Sequence, residues 1–126
     1  VANIESSNSG RKEYVKSISL VESIEQKIAE ATLPVILYVY APGCGYCYKM
    51  APIFEELTHE LGQDYIFLKL VLGELSIEER RAVAGKYAIR HVPTFLFIHN
   101  NGVKNRMAGY VDKDTFKAKI KEIFAI

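Results

Sequence analysis

The run Val35-Ile-Leu-Tyr-Val-Tyr40 constrains this chain more than any other feature, because it is β-branched and aromatic with no alternation of polar and apolar positions. A strand with one wet face alternates. A strand that is apolar throughout is buried on both faces, which requires a sheet covered by helices on each side. The flanking sequence supplies candidates for those helices. Val21, Ile24, Ile28 and Ala31 recur at helical spacing, so Leu20–Ala31 reads as an amphipathic helix. The stretch after Cys44 reads as a helix to about Leu61, with Ile53, Phe54 and Leu57 on its apolar side and a kink expected at Pro52. Ser76 caps a third helix with Glu78 and Glu79 in its first turn, and Glu78-Glu79-Arg80-Arg81 reads as a solvated helix face. Asp112 opens a last helix carrying Phe116, Ile120, Ile123 and Phe124 on one face.

Further strands are expected at Tyr65–Val71, Thr94–Ile98 and Val103–Ala108, with Asn101-Gly102 as the hairpin turn between the last two. Tyr14–Ile18 is a weaker strand candidate. The order β-α-β-α-β-α-β-β-α predicts an α/β fold with a central mixed sheet and helices on both faces. With 126 residues there is room for one core, expected over residues 13–126, behind a polar, flexible tail at residues 1–12. Sixteen basic and fifteen acidic residues give a net charge of +1, which provides no electrostatic footprint for nucleic acid or an anionic membrane. No apolar run approaches the ~20 residues needed to span a bilayer.

There are two cysteines, too few for a disulfide-rich scaffold or a four-cysteine zinc site. Both lie in Cys44-Gly-Tyr-Cys47, between the buried strand and the second helix. At a helix N-terminus, unpaired N–H groups and the helix dipole favour an anion, so the Cys44 thiol should lose its proton readily. The i, i+3 spacing puts Cys47 on the same face, one turn inward and close enough to form a disulfide. Two chance core cysteines or half a metal site would give the same spacing. A metal site would need His59, His91 or His99, which show no ligand spacing. The strand–Cys-x-x-Cys–helix context favours redox chemistry with no metal.

At this point the sequence resembles the thioredoxin family. Residues 35–52 look like its active-site strand, loop and helix, with a proline five residues after the second cysteine. Lys86-Tyr-Ala-Ile-Arg-His-Val-Pro-Thr-Phe95 looks like the segment leading to the family's cis-proline, and Asn101-Gly102 and Gly109 match its hairpin turn and following glycine. The resemblance runs from about Tyr14 to Phe124. It implies the thioredoxin fold, with Cys44 as nucleophile, Cys47 as resolving thiol and Gly43, Gly45 and Tyr46 in the active-site loop. It also implies that Pro93 lies against the cysteines and that Val92 offers its backbone to an extended substrate.

The sequence departs from the family in places. Gly43 stands where thioredoxins usually carry tryptophan, and this chain has no tryptophan. Tyr38 stands where they carry a buried acid that helps deprotonate the resolving cysteine; a phenol with an ordinary pKa near ~10 is a poor base. Lys69 occupies the family's buried strand lysine position and would act on Cys47 electrostatically, or would snorkel to water. His91 approaches the thiols or sits in a solvated loop. Tyr40, Tyr46, Tyr48 and Phe95 would form a shallow groove for polypeptides, although core packing explains Tyr40 and Phe95 equally well. Cys-Gly-Tyr-Cys resembles the motif of bacterial periplasmic disulfide isomerases, whose dimerisation domain is not found in these residues.

The expected function is a thiol–disulfide oxidoreductase acting on protein disulfides or dithiols, monomeric and reset by a separate reductase or oxidant. No bound cofactor is called for, and there is no Gly-rich nucleotide fingerprint. A peptide-binding, chaperone-like module with little redox turnover is the alternative, and a glutaredoxin-like enzyme a weaker third. The chain begins at Val1, without methionine. This leans slightly towards an exported, periplasmic or membrane-tethered protein, with a cytoplasmic one nearly as well supported.

Overall fold

A computed structural model describes residues 20–125. The doubly apolar run forms β1 (Val35–Tyr40), an inner strand of a four-stranded sheet that also contains β2 (Ile66–Val71), β3 (Thr94–His99) and β4 (Gly102–Ala108), in the order β2-β1-β3-β4. β1 pairs parallel with β2 and antiparallel with β3, and β3 with β4 antiparallel, so the sheet is mixed as expected. The helices are α1 (Leu20–Glu30), α2 (Gly45–Leu61), α3 (Ile77–Tyr87) and α4 (Lys113–Ile123), with a short 3-10 turn at Leu72–Glu74. The expected tail at residues 1–12 and the strand candidate Tyr14–Ile18 lie outside the described residues.

The pleat of β1 sorts its side chains into two cores. Val35, Leu37 and Val39 pack in one cluster with Ile24 and Ile28 of α1 and Val83 and Tyr87 of α3. Ile36 and Tyr38 pack in the other with Met50, Phe54 and Leu57 of α2 and Phe116 and Ile120 of α4. Alternate residues therefore serve opposite layers, which is why the run could not alternate in polarity. Each large side chain so buried contributes roughly 1.5–3 kcal/mol.

One local expectation needs correction. The hairpin turn is Asn100-Asn101, with φ of 54° and 63°, and His99 pairs with Gly102, which already belongs to β4. Both central residues of such a tight turn need positive φ, and asparagine tolerates it well enough to displace the expected Asn101-Gly102 by one position. The run Glu78–Arg81 is the solvated face expected, with Glu78, Arg80 and Arg81 exposed. Ser76 and Glu79 form a reciprocal capping box, and Arg80 donates to the Leu75 carbonyl at 3.3 Å. Pro52 lies inside α2, which continues through it to Leu61. Among the described residues no helix is long and apolar enough to cross a membrane.

Candidate active site

The chain leaves β1 at Tyr40 and turns through Gly43, at φ 79°, into Cys44. Cys44 is the N-cap of α2 in extended backbone geometry, and its Sγ accepts the Cys47 N–H at 3.2 Å. The sulfur thus occupies the place where an N-cap oxygen usually sits, at the positive end of the helix. Cys44 and Cys47 are joined in a disulfide, with Cα atoms 5.2 Å apart. Cys44 is half-buried and Cys47 buried, so only the first presents appreciable surface. Gly45 and Tyr46 form the exposed start of α2, with the Tyr46 side chain directed to solvent.

The second wall comes from the loop before β3. The Val92–Pro93 peptide bond is cis, Pro93 is buried, and the Val92 carbonyl oxygen lies 3.6 Å from Cys44 Sγ. The Gly109 N–H donates to the Pro93 carbonyl at 3.0 Å, fastening the end of β4 to this wall.

Tyr38 is buried beneath the pair. It stacks between Tyr40 and Phe95, both with ring centroids 4.8 Å away, and its hydroxyl donates to the Cys47 carbonyl at 2.9 Å. Burial, and secondarily the neighbouring Tyr40, push its pKa up to about 12. Lys69 lies opposite Tyr38 in the β1–β2 register, half-buried, with its ammonium 2.7 Å from the Glu55 carboxylate on α2. Its charge acts on Tyr40, lowering that phenol's pKa against the larger upward effect of burial. His91 is exposed, and its backbone carbonyl accepts the Thr94 hydroxyl at 2.7 Å. Phe95 belongs to the core and Tyr40 is half-buried, while Tyr48 is exposed beside Tyr46.

Most of the remaining contacts join residues far apart in sequence, although Lys49 and Tyr46 are an i, i+3 pair on α2. The Lys49 ammonium lies over the rings of Tyr46 and Tyr110, 5.7 and 6.0 Å from their centroids. The Val111 N–H points at Met50 Sδ at 3.4 Å. Arg106 of β4 donates to the Tyr87 and Ala88 carbonyls at 2.7 and 3.1 Å, closing the C-terminus of α3. Only the position of Tyr110 directly after Gly109 hinted that it would border the site. Among the described residues, no three histidine, cysteine, aspartate or glutamate side chains are grouped to hold a metal ion.

A mixed α/β sheet with a Cys-x-x-Cys pair at a helix N-terminus and a cis-proline beside it defines a thioredoxin-fold protein of the dithiol–disulfide class. The thioredoxin family model matches residues 16–122. The chain is 32% identical over 113 residues to the chloroplastic M-type thioredoxin of Pisum sativum, an alignment covering 88% of this chain and 63% of that protein. It is 29% identical over 107 residues to the thioredoxin of Bacillus subtilis, covering 83% of this chain and 98% of that one. Over 101 residues it is 30% identical to the thioredoxin of Chlorobaculum thiosulfatiphilum, covering 80% and 89% of the two chains. The chain belongs to the thioredoxin family. It spans about three fifths of the length of the pea and spinach relatives, at 63% and 59%.

Proposed function

We propose that this protein is a thiol–disulfide oxidoreductase acting on protein disulfides. The observation that carries the reading is the asymmetry of the Cys44–Cys47 pair. The half-buried sulfur caps α2 and faces the Val92 carbonyl, while its partner is buried one turn further in. In the reduced protein, the Cys44 thiolate attacks one sulfur of a substrate disulfide. A Cys44–substrate disulfide forms, and the other substrate sulfur leaves as a thiolate. The Cys47 thiolate then attacks Cys44 Sγ, releasing the second substrate thiolate and forming the Cys44–Cys47 disulfide. Two electrons pass to the substrate, and its two sulfurs take up protons from solvent. Val92 pairs its backbone with an extended substrate segment, and Pro93 holds that segment against the sulfurs. A separate reductase or oxidant resets the pair. Both sulfurs and the Val92–Pro93 wall come from one chain, so a monomer suffices.

Insulin reduction by dithiothreitol, with and without the protein, tests this reading. Acceleration by the wild type, loss of it in Cys44→Ser, and a trapped mixed disulfide on Cys44 in Cys47→Ser are the expected results. Full biological activity in the double serine variant would overturn it in favour of a peptide-binding module.

A further inference from the structure

The lysines Lys69, Lys86, Lys113 and Lys117 each hold a carboxylate. Lys49 is placed differently, over the faces of two exposed tyrosines. A ring face attracts an ammonium but does not neutralise it, and among the described residues no carboxylate is paired with Lys49.

The position of this charge gives it meaning. Tyr46 lies inside the Cys-x-x-Cys motif, and Tyr110 follows Gly109, which is hydrogen-bonded to the Pro93 carbonyl. Cys44 in turn faces Val92. Contacts and chain connections therefore link Cys44 to Val92–Pro93, Pro93 to Gly109–Tyr110, Tyr110 through Lys49 to Tyr46, and Tyr46 along the chain to Cys44. Lys49 is the charged member of that set. The acid that follows Val111, Asp112, is occupied in capping α4 through Thr115.

We propose that Lys49 is a specificity-determining residue that selects polypeptide substrates carrying a carboxylate side chain close to the reacting cysteine. The inference rests on the oxidoreductase reading above. Charge complementarity identifies the occupant. In this arrangement a substrate segment along Val92 runs towards Tyr110, which follows the Gly109 bonded to Pro93 and over whose ring the Lys49 ammonium lies. An acidic residue beside the substrate cysteine would meet the ammonium as its sulfur meets Cys44. Exposed ion pairs shift an equilibrium by about two- to five-fold, and charge reversal acts in the opposite sense.

The test uses the full chain and three disulfide-linked peptides that differ only in having Glu, Gln or Lys next to the cysteine. The readout is the ratio of kcat/KM for the Glu peptide to that for the Lys peptide, which cancels any change a variant makes to Cys44 itself. The ratio is expected to exceed unity by about two- to five-fold in the wild type at low salt and to shrink at high salt. It should approach unity in Lys49→Gln and invert in Lys49→Glu. A ratio of one in the wild type, or an unchanged preference in Lys49→Glu, would overturn the proposal. If none of the three peptides is reduced, the oxidoreductase reading itself falls, and this inference with it.

Discussion

The Tyr38 hydroxyl donates a 2.9 Å hydrogen bond to the Cys47 carbonyl, tying the middle of β1 to the first turn of α2 directly below the disulfide. The phenol's proton is thus committed to a backbone oxygen, and burial holds its pKa at about 12. A group in that state orients the resolving cysteine but does not take its proton at neutral pH. Tyr38→Phe keeps the stacking on Phe95 and removes only the hydrogen bond, so it should cost about 1 kcal/mol. Tyr38→Ala also empties the space between Tyr40 and Phe95 and should cost about 3–5 kcal/mol. In stopped-flow decay of the mixed disulfide, Tyr38→Phe should leave the shape of the pH profile unchanged. A lost limb in that profile would identify the phenol as the base after all.

The same raised pKa gives a stability prediction at high pH. In the unfolded chain Tyr38 ionises near pH ~10, whereas in the fold its proton is held to about 12. Its contribution is fully present below the unfolded value and is lost as pH rises through the folded one. Burial raises the pKa of Tyr40 and Tyr87 in the same direction. Urea midpoints should therefore fall steadily above pH ~10. The fall should be shallower in Tyr38→Phe, with phenolate absorbance appearing in step with unfolding.

The parts of this site legible in the sequence are those set by local rules. The doubly apolar β1, the caps at Ser76 and Asp112, and the Cys44–Cys47 spacing each specify their geometry within a few residues. The hairpin was displaced by one residue because Asn100 and Asn101 can both take positive φ, whereas the glycine at 102 drew the expectation forward. The surroundings of Lys69 depend on Glu55, which lies 14 residues away on the neighbouring helix and is invisible to local spacing. Lys49 and Tyr110 are brought together only when β4 returns to the sheet beside β3. Side-chain pairs of this kind are products of topology, and periodicity along one strand or helix carries no trace of them.

The end of α3 stores a correctable conflict. Ala88 is its C-cap in the left-handed region, at φ 54°, a conformation that glycine adopts without the side-chain penalty. Ala88→Gly should therefore stabilise the protein by about 0.5–1 kcal/mol, after allowing for glycine's greater freedom in the unfolded chain. Arg106 holds the adjoining carbonyls of Tyr87 and Ala88, and Arg106→Gln should cost about 1–2 kcal/mol. Because both act on the same turn, thermal unfolding of the double variant should show effects that do not add.

Two glycines flank Cys44, and they should respond oppositely to the same substitution. Gly43 has φ 79°, and a methyl group there would meet nothing within 4 Å, so the cost of Gly43→Ala is conformational alone, about 1 kcal/mol. Gly45 opens α2 with helical geometry and equally open space around it. Gly45→Ala relieves the entropic cost of glycine in a helix and should be neutral or stabilising by up to about 1 kcal/mol. A tryptophan at position 43, usual in the family, would carry the same positive-φ penalty and place a bulky ring directly before Cys44. Gly43→Trp should consequently lower both stability and the rate of insulin reduction, whereas Gly45→Ala should lower neither by more than about two-fold in rate, equivalent to less than ~0.5 kcal/mol. Equal responses at the two positions, measured by urea unfolding and by turnover, would show that the backbone of this loop does not govern where the Cys44 sulfur sits.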